Sequence, residues 1–164
     1  MEREDLHSTP CEHVQRLHPS DRAAVRALAE ACAPTEWEDS GLAIDGDPLF
    51  GYFESERLLA VAGTIRWVPH AANPGAITHP NHRNKGLGKA VPSAAMSHIL
   101  SEGDVELFQT LLNNHAPVNI AEALGCKLYT CVMYIGLTDI AGQQVAGGDG
   151  ALATPQLWRQ EADH

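Results

Sequence analysis

A short basic segment with two closely spaced glycines lies near the middle of this chain, at residues 78–89. Gly86 and Gly88 lack a Cβ, so the backbone can turn sharply there and a ligand can approach closely. An apolar stretch precedes the segment and an alanine-rich stretch follows it, which predicts a strand, a loop and a helix. The first amides of a helix have no intrahelical acceptor and, with the helix dipole, they favour an anion. The segment therefore predicts a phosphate-binding loop.

Three phosphate-loop patterns compete for this segment. A P-loop places serine or threonine after its lysine, whereas Lys89 is followed by an alanine. A dinucleotide-binding fingerprint needs a glycine three residues after Gly88, where this chain has Val91. The third pattern is an arginine or glutamine with a glycine three positions later and a glycine or alanine five positions later. Arg83, Gly86 and Gly88 match it. A surface turn with a helix cap stays open as the alternative, because so short a pattern often arises by chance.

The elements after the loop alternate between helix and strand patterns. Residues 75–78 predict a short buried strand, residues 87–100 a helix and residues 105–112 another strand. Two asparagines, a short helix that ends at Gly125 and a strand over residues 127–137 follow.

Pro92 lies inside the predicted helix. Because proline has no backbone N–H, it removes the hydrogen bond to the Gly88 carbonyl and should kink the helix, at a cost of about 3 kcal/mol in an ordinary helix. Two explanations are open for the freed carbonyl: it is solvated, or it faces the ligand.

The first half of the chain contains three predicted strands, over residues 13–17, 49–54 and 58–68. Residues 69–75, which contain two prolines, are predicted to form a loop.

One helix is predicted between the first two of these strands. Ser20 is its expected N-cap and Pro34 its end. Four alanines and one leucine are expected to form its buried face, at positions 23, 24, 27, 28 and 31.

The length of 164 residues indicates one domain with its own core. Residues 13–139 are assigned to that domain, residues 1–12 to a flexible charged tail, and residues 140–164 to a glycine-rich linker and tail. No segment is apolar for long enough to span a membrane, and the acidic N-terminus does not resemble a signal peptide. Four cysteines without C-x-x-C spacing indicate reduced thiols and a cytoplasmic protein.

The formal net charge of −10 argues against a nucleic acid partner, because a phosphate polyanion would be repelled. It suits a cationic partner instead.

The order of these elements resembles the GNAT superfamily of acetyl-coenzyme A-dependent N-acetyltransferases. The similarity is carried by Thr78-x-Pro80-x-x-Arg83-x-Lys85-Gly86-Leu87-Gly88, by Asn114, and by Ala123-Leu124-Gly125-Cys126, where the family usually has a Gly-Phe pair. It covers about residues 74–137. The resemblance implies an α+β (α/β) fold with a mixed, mostly antiparallel sheet of about six or seven strands. It also implies a splay between strands 4 and 5 and about four flanking helices.

The resemblance also implies that acetyl-coenzyme A is the co-substrate. The backbone of Ala76, Ile77 and Thr78 would pair with its pantetheine arm as though adding a strand. Asn114 would contact the same arm, although a helix-capping turn is an alternative role for it. The pyrophosphate would lie on the loop, where the expected contacts are Arg83, Asn84, Lys85, Gly86, Leu87, Gly88 and Lys89.

The catalytic groups cannot be carried over from the family. Its fourth-strand glutamate position falls at Pro74 or Gly75, its fifth-strand one near Gln109, and its tyrosine position at Ala121. Either other side chains serve, or the orientation of the two substrates does most of the work.

Glu106 and Tyr129 are the candidate base and acid. The alternatives are that Glu106 only faces solvent on its strand and that Tyr129 is an ordinary strand aromatic. His79 and His82 have a spacing that could bind a metal, but no further ligand stands beside them, so no metal site is expected. The remaining candidates for proton transfer are His79, His82, His115 and Tyr134.

The segment expected to receive the acceptor is acidic. Glu36, Glu38 and Asp39 could attract a cationic amine, with Trp37 as a flat wall beside it. The alternative is a solvated acidic loop that Trp37 anchors to the core. Aminoglycoside-type antibiotics and polyamines fit the first interpretation.

The leading hypothesis is therefore an N-acetyltransferase acting on a primary amine of a small cationic molecule, with antibiotic resistance by aminoglycoside acetylation as its most concrete form. Acetylation of a protein N-terminus or lysine, and a non-catalytic acetyl-coenzyme A-binding module, are the alternatives. Many GNAT proteins are dimers, so the apolar run over residues 128–137 is a possible homodimer interface.

Overall fold

The computed structural model describes residues 13–111, 115–131 and 155–159. Within these residues the chain forms seven strands and four helices. In chain order they are β1 (Val14–Arg16), α1 (Arg22–Ala31), α2 (Pro34–Asp39), β2 (Leu49–Glu54), β3 (Arg57–Val68), β4 (Ala71–Thr78), α3 (Leu87–Ser101), β5 (Val105–Leu111), α4 (His115–Ala123), β6 (Lys127–Cys131) and β7 (Pro155–Arg159).

The strands form one sheet in the order β1-β2-β3-β4-β5-β7-β6. Neighbours pair antiparallel except β4 and β5, which pair in parallel. The predicted α+β fold, with a mixed and mostly antiparallel sheet flanked by helices, is confirmed.

The parallel pair separates after two residues. β4 and β5 are in register at Ala71 with Val105 and at Ala72 with Glu106. Beyond this point the side chain of Asn73 bridges the two strands, because its Oδ1 accepts a hydrogen bond from the backbone N–H of Gln109 at 3.2 Å. The predicted splay between the fourth and fifth strands is thus present.

The loop predicted over residues 69–75 was wrong. Strand β4 begins at Ala71, directly after a tight turn in which His70 has a φ of 64°. Pro74 lies inside this strand and pairs with Thr64 of β3. Proline is tolerated where one edge of a strand has no partner, and β4 has already separated from β5 at this residue.

Helix α1 differs from its prediction at both ends. A 3₁₀ turn spans Pro19–Asp21, so Ser20 is not the N-cap and α1 begins after Asp21. The helix ends at Ala31, and Pro34 opens α2 instead of ending α1. The predicted buried face is confirmed at Leu28 and, in part, at Ala24, but it was wrong at the other three alanines, which are exposed. The remaining buried positions are Val25 and the following Cys32.

The core has a layer on each face of the sheet. On one face Val25 and Leu28 of α1 pack with Val61 of β3 and Ile77 of β4. On the other face Val91 and Ala95 of α3 pack with β3 residues at the alternate positions, Ala60 and Ala62. Because the side chains of neighbouring strand residues alternate, α1 and α3 lie on opposite faces.

Part of the segment assigned to a C-terminal tail lies in the sheet. Strand β7 is inserted between β5 and β6 and pairs antiparallel with both. The strand predicted over residues 127–137 is described as far as Cys131, and its remainder lies outside the described residues. The possible dimer interface extends into that part, while Leu128 at its start is exposed.

No helix in the described part of the chain combines the length and the apolar composition needed to cross a membrane.

Candidate active site

A cavity of about 460 Å³ lies at the splay. Strands β4 and β5 line it with the residues around Pro74 and Gln109. Helices from both faces of the sheet also line it. The residues from α3 and α4 are Gly88, Pro92, Pro117 and Ile120, and those from the end of α2 and the turn after it are Asp39, Ser40 and Gly41. The cavity therefore passes through the sheet and joins its two faces.

The predicted phosphate loop leads into the cavity from the α3 side. Asn84 and Gly86 adopt left-handed backbone conformations, with φ of 61° and 83°. This permits the sharp turn, and α3 begins at Leu87. The Gly86 carbonyl accepts hydrogen bonds from the N–H groups of Lys89 and Ala90, at 3.0 and 3.1 Å. The amides that precede Lys89 therefore lie at the open end of a 15-residue helix, where an anion is favoured.

Gly88 and Pro92 line the cavity together, one turn apart on α3. Pro92 is buried and has no N–H to occupy the Gly88 carbonyl. The proline at which the sequence predicted a kink thus lies at the wall of the cavity.

Other residues expected to contact the cofactor have different surroundings. The side chains of Ile77 and Leu87 are buried in the core, so their backbone is what a ligand could reach. Lys85 is exposed, with its Nζ 3.5 Å from Nδ1 of His82. Asn114 lies outside the described residues.

Arg83 connects the phosphate loop to helix α2. Its Nε–H donates to the Thr78 carbonyl at 3.3 Å, and its Nη2 lies 2.9 Å from the Glu36 carboxylate. The hydrogen bond from Arg83 holds the pKa of Glu36 below its usual value. A residue predicted for the donor thus pairs with a residue predicted for the acceptor.

The remaining acidic residues of α2 divide into two kinds. Both Asp39 and Glu38 are exposed, but Asp39 lines the cavity and Glu38 lies outside the lining. Trp37 is partly buried and packs against the core layer of the α1 face. Asp39 is the one ionisable side chain among the described residues that line the cavity.

Gly75 allows the end of α2 to lie directly on β4. A Cβ at Gly75 would clash with the backbone oxygen of Ser40 and with Cδ1 of Ile65. Ser40 is itself fixed, since its Oγ donates to the Trp37 carbonyl at 2.6 Å. The position of Asp39 beside the splay therefore depends on the absence of a side chain at residue 75.

Glu106 does not face solvent, so that alternative was wrong. It is fully buried, with its Oε2 3.7 Å from Sγ of Cys126. Burial, followed by the charge of Glu106, raises the pKa of the Cys126 thiol. Glu106 is not part of the cavity lining, so a role as base would have to act through intervening groups. Tyr129 lies in β6, and its side chain is outside the part of the chain that the structure describes.

Four polar residues in the cavity were missed as site candidates by the sequence analysis. Asn73 lay in a segment predicted as loop, and Ser40 directly follows the acidic segment but carries no charge. Gln109 was noted as the position where the family carries a glutamate, which was a usable signal. Thr110, next to it, carried no signal.

The two histidines that flank the loop stack edge to face, with ring centroids 5.3 Å apart. No group of three or more histidine, cysteine, aspartate or glutamate residues within the described ranges is arranged to hold a metal ion.

Comparison with known proteins shows similarity at the level of structure. No protein-family model matches the chain, and no curated protein matches its sequence. A putative acetyltransferase from Salmonella typhimurium, solved with its cofactor acetyl-CoA, superposes with a TM-score of 0.68 at 16% identity, over 92% of this chain and 93% of that one. The ribosomal-protein-S18-alanine N-acetyltransferase from Escherichia coli superposes with a TM-score of 0.59 at 15% identity, over 89% and 90%.

A third structure is the Salmonella typhimurium acetyl transferase that modifies the N-terminal serine of ribosomal protein L7/L12. It superposes with a TM-score of 0.61 at 14% identity, over 92% of this chain and 94% of that one. The chain therefore has the fold of GNAT acetyltransferases, as its sequence predicted.

Proposed function

We propose that this protein is an acetyl-coenzyme A-dependent N-acetyltransferase. The observation that carries the proposal is the cavity at the splay, which connects the anion-favouring start of α3 with the acidic end of α2. An acetyl donor and an amine acceptor could thus enter from opposite faces of the sheet and meet between β4 and β5.

The residues on the α3 side fit acetyl-coenzyme A. The left-handed turn at Gly86 and the helix start at Leu87 provide free amides for a pyrophosphate. Lys85 and Lys89 add positive charge beside them. Beyond Ala72 the edge of β4 has no strand partner, so the backbone of Ala76 to Thr78 can bind an extended amide-containing arm. When bound, the cofactor supplies the activated acetyl group as a thioester.

The residues of the cavity can orient an amine and hold its proton. Asp39 can pair with an ammonium group at the entrance, and its carboxylate can accept a proton as the amine becomes nucleophilic. Asn73, Gln109 and Thr110 offer hydrogen bonds without ionising. Because the described lining contains no second ionisable group, positioning of the two substrates supplies much of the rate. Glu106 as base and Tyr129 as acid stay predictions.

The acceptor we propose is a primary amine of a small cationic molecule, with polyamines and aminoglycosides as the classes to test. Asp39 in the lining and Glu38 exposed beside it support this choice. Glu36 contributes less negative charge than its position suggests, since Arg83 neutralises it. The formal net charge of −10 adds a long-range attraction for cations.

A second candidate acceptor is the N-terminus of a protein. It is favoured by the names of two structural neighbours, which modify the N-terminal residue of a ribosomal protein or act on ribosomal-protein alanine. A protein N-terminus is also a primary amine, so the same cavity could orient it.

Release of the coenzyme A thiol, measured across a panel of amines, separates these functions. The panel contains spermidine, an aminoglycoside, peptides that begin with alanine or serine, and a lysine peptide with a blocked N-terminus. Thiol release with the cations identifies a small-molecule acetyltransferase, and release with the free peptide N-termini identifies the second candidate.

A calorimetric titration with acetyl-coenzyme A accompanies the panel. Binding without thiol release on any amine would contradict catalysis and indicate a non-catalytic module. Absence of both binding and release would contradict the donor as well. The Glu38→Gln variant is the control for the effect of general negative charge on thiol release, because Glu38 lies outside the cavity lining.

A further inference from the structure

A second cavity, of about 300 Å³, lies on the α1 face of the sheet. It is bounded by α1, by the tight turn between β2 and β3, and by the residue after β4. None of its lining residues lines the cavity at the splay. Its polar members are Ser55, Glu56, Arg57 and His79, and its apolar members are Ala24, Ala27, Leu28 and Leu58.

His79 forms a buried wall of this cavity and is in contact with two hydrogen-bond donors. Its side chain is 6% exposed. An Arg57 Nη2 lies 2.8 Å from its Nε2, and the backbone N–H of Asn81 points at its Nδ1 at 3.2 Å. A neutral imidazole has one acceptor nitrogen and one N–H, and Arg57 is always a donor. One of the two contacts therefore places a donor against a donor.

An anion that binds both groups, once the flexible Arg57 side chain has moved away from the ring, removes this conflict. His79 can then carry a proton on Nε2 and donate it to the anion, while Nδ1 still accepts from Asn81. Arg57 donates to the same anion instead of to the ring. Each group then has a partner of the opposite kind, and the hydrogen bonds to the anion are charge-assisted.

The composition of the cavity selects the kind of anion. Ala24, Ala27 and Leu28 give α1 an apolar wall opposite the Arg57 guanidinium and the His79 ring. Glu56 also lines the cavity, and its negative charge disfavours a ligand with two or more charges. A single negative charge with an apolar tail suits both features.

We propose that this cavity binds a small monocarboxylate, with the carboxylate replacing the direct contact of Arg57 with His79 and the apolar tail against Ala24, Ala27 and Leu28. The site is separate from the proposed acetyl-transfer cavity, so its occupancy can be measured without any acceptor amine.

The charges around His79 predict how binding depends on pH. Burial, then Arg57, His82 and Arg83, lower the pKa of His79, while Glu56 is the acidic group lining the same cavity. The folded protein without ligand thus binds fewer protons at His79 than the unfolded chain. Its stability should fall as the pH drops below the ordinary histidine value of about 6.5. The proposed binding mode uses the neutral ring, with a donor at Nε2 and an acceptor at Nδ1, so binding should not strengthen over the same range.

The test is a calorimetric titration of the whole chain with acetate, butyrate and hexanoate at pH 6 and pH 8. We expect binding that is no tighter at pH 6 than at pH 8, and a gain of about fourfold in affinity for each methylene that the cavity holds. In NMR spectra the His79 ring signals should shift on titration, and in the butyrate complex they should be those of the neutral ring with its proton on Nε2. Phosphate serves as the comparison anion, with weaker binding than hexanoate.

Two variants localise the site. Arg57→Gln should lower butyrate affinity at least tenfold, and Arg26→Gln, which removes the same charge from an exposed position of α1 outside the cavity, should not. Ala27→Leu should weaken hexanoate and leave acetate unchanged, because it fills the apolar part at an exposed position that tolerates a larger side chain.

Phosphate binding as tight as hexanoate binding, or equal butyrate affinity in the Arg57→Gln and Arg26→Gln variants, would overturn the proposal. So would His79 signals that do not respond to any of the three carboxylates.

Discussion

The two faces of the sheet contribute different chemistry to the cavity that joins them. The α3 and α4 side is lined by glycine, proline and isoleucine, and it begins at a helix start with free amides. The α2 side is lined by Asp39 and Ser40 and carries further acidic residues beside them. The polar groups of the α3 side are thus backbone amides, and those of the α2 side are mainly acidic side chains.

This difference has consequences for mutation. On the α3 side a change matters when it alters backbone conformation, and on the α2 side when it alters charge or moves the helix. Four substitutions test the contrast, in order of decreasing effect.

Gly75→Ala should have the largest effect. The new Cβ meets the backbone oxygen of Ser40, so the end of α2 must move away from β4, at a cost of about 1–3 kcal/mol in stability. Acetyl transfer should fall by about a hundredfold or more, while acetyl-coenzyme A binding is largely retained. Thermal unfolding measures the loss of stability, and calorimetry measures the binding of acetyl-coenzyme A. Equal loss of donor and acceptor binding would show that the faces are not separable.

Gly86→Ala should act on the opposite side. A φ of 83° disfavours any residue with a Cβ by about 1–2 kcal/mol, so the loop should relax and the KM for acetyl-coenzyme A should rise about tenfold. Gly103→Ala, with a φ of 77° at the far end of α3, is the matched control. It should lose similar stability without a change in KM. An unchanged KM in Gly86→Ala would remove this loop from donor binding.

Asp39→Asn should raise the KM of a cationic acceptor by up to about fivefold, since an exposed ion pair contributes up to about 1 kcal/mol. The KM of acetyl-coenzyme A should not change. Glu38→Gln removes a neighbouring charge outside the cavity and should have less effect. If both variants raise the KM of the acceptor equally, acceptor binding depends on the total negative charge of the segment and not on the position of Asp39.

Glu36→Gln should have the smallest effect and the least selective one. It weakens the pair with Arg83, which joins α2 to the phosphate loop, so both KM values should rise by about twofold. Steady-state kinetics with each substrate varied in turn measures this. A selective rise for the acceptor would instead mean that Glu36 contacts the amine directly.

The features that the sequence predicted well are local. The loop conformation follows from Arg83, Gly86 and Gly88, and the start of α3 follows from the residues next to them. The order of strands and helices contributed to the resemblance to GNAT acetyltransferases, and that resemblance implied the splay. These properties depend on neighbouring residues or on the spacing of whole elements.

The features that the sequence analysis missed depend on contacts between distant residues. Pro74 suggested a loop, because its place at an unpaired strand edge is set by β5, about thirty residues later. The close approach of Ser40 to Gly75 and the pairing of Glu36 with Arg83 have no local signature. The burial of Glu106 beside Cys126 is of the same kind.

The insertion of β7 between β5 and β6 also sets the order in which the molecule can be made. The part of the sheet from β1 to β4 can pair as the chain is synthesised, because its neighbours follow one another in sequence. Strand β5 pairs with β4 at its first two residues, but from Leu107 onwards its partner is β7. Strand β6 also pairs with β7, so these backbone partners arrive after residue 155 has been added. Until then one wall of the cavity has an open strand edge on the ribosome, where chaperones and other chains can reach it.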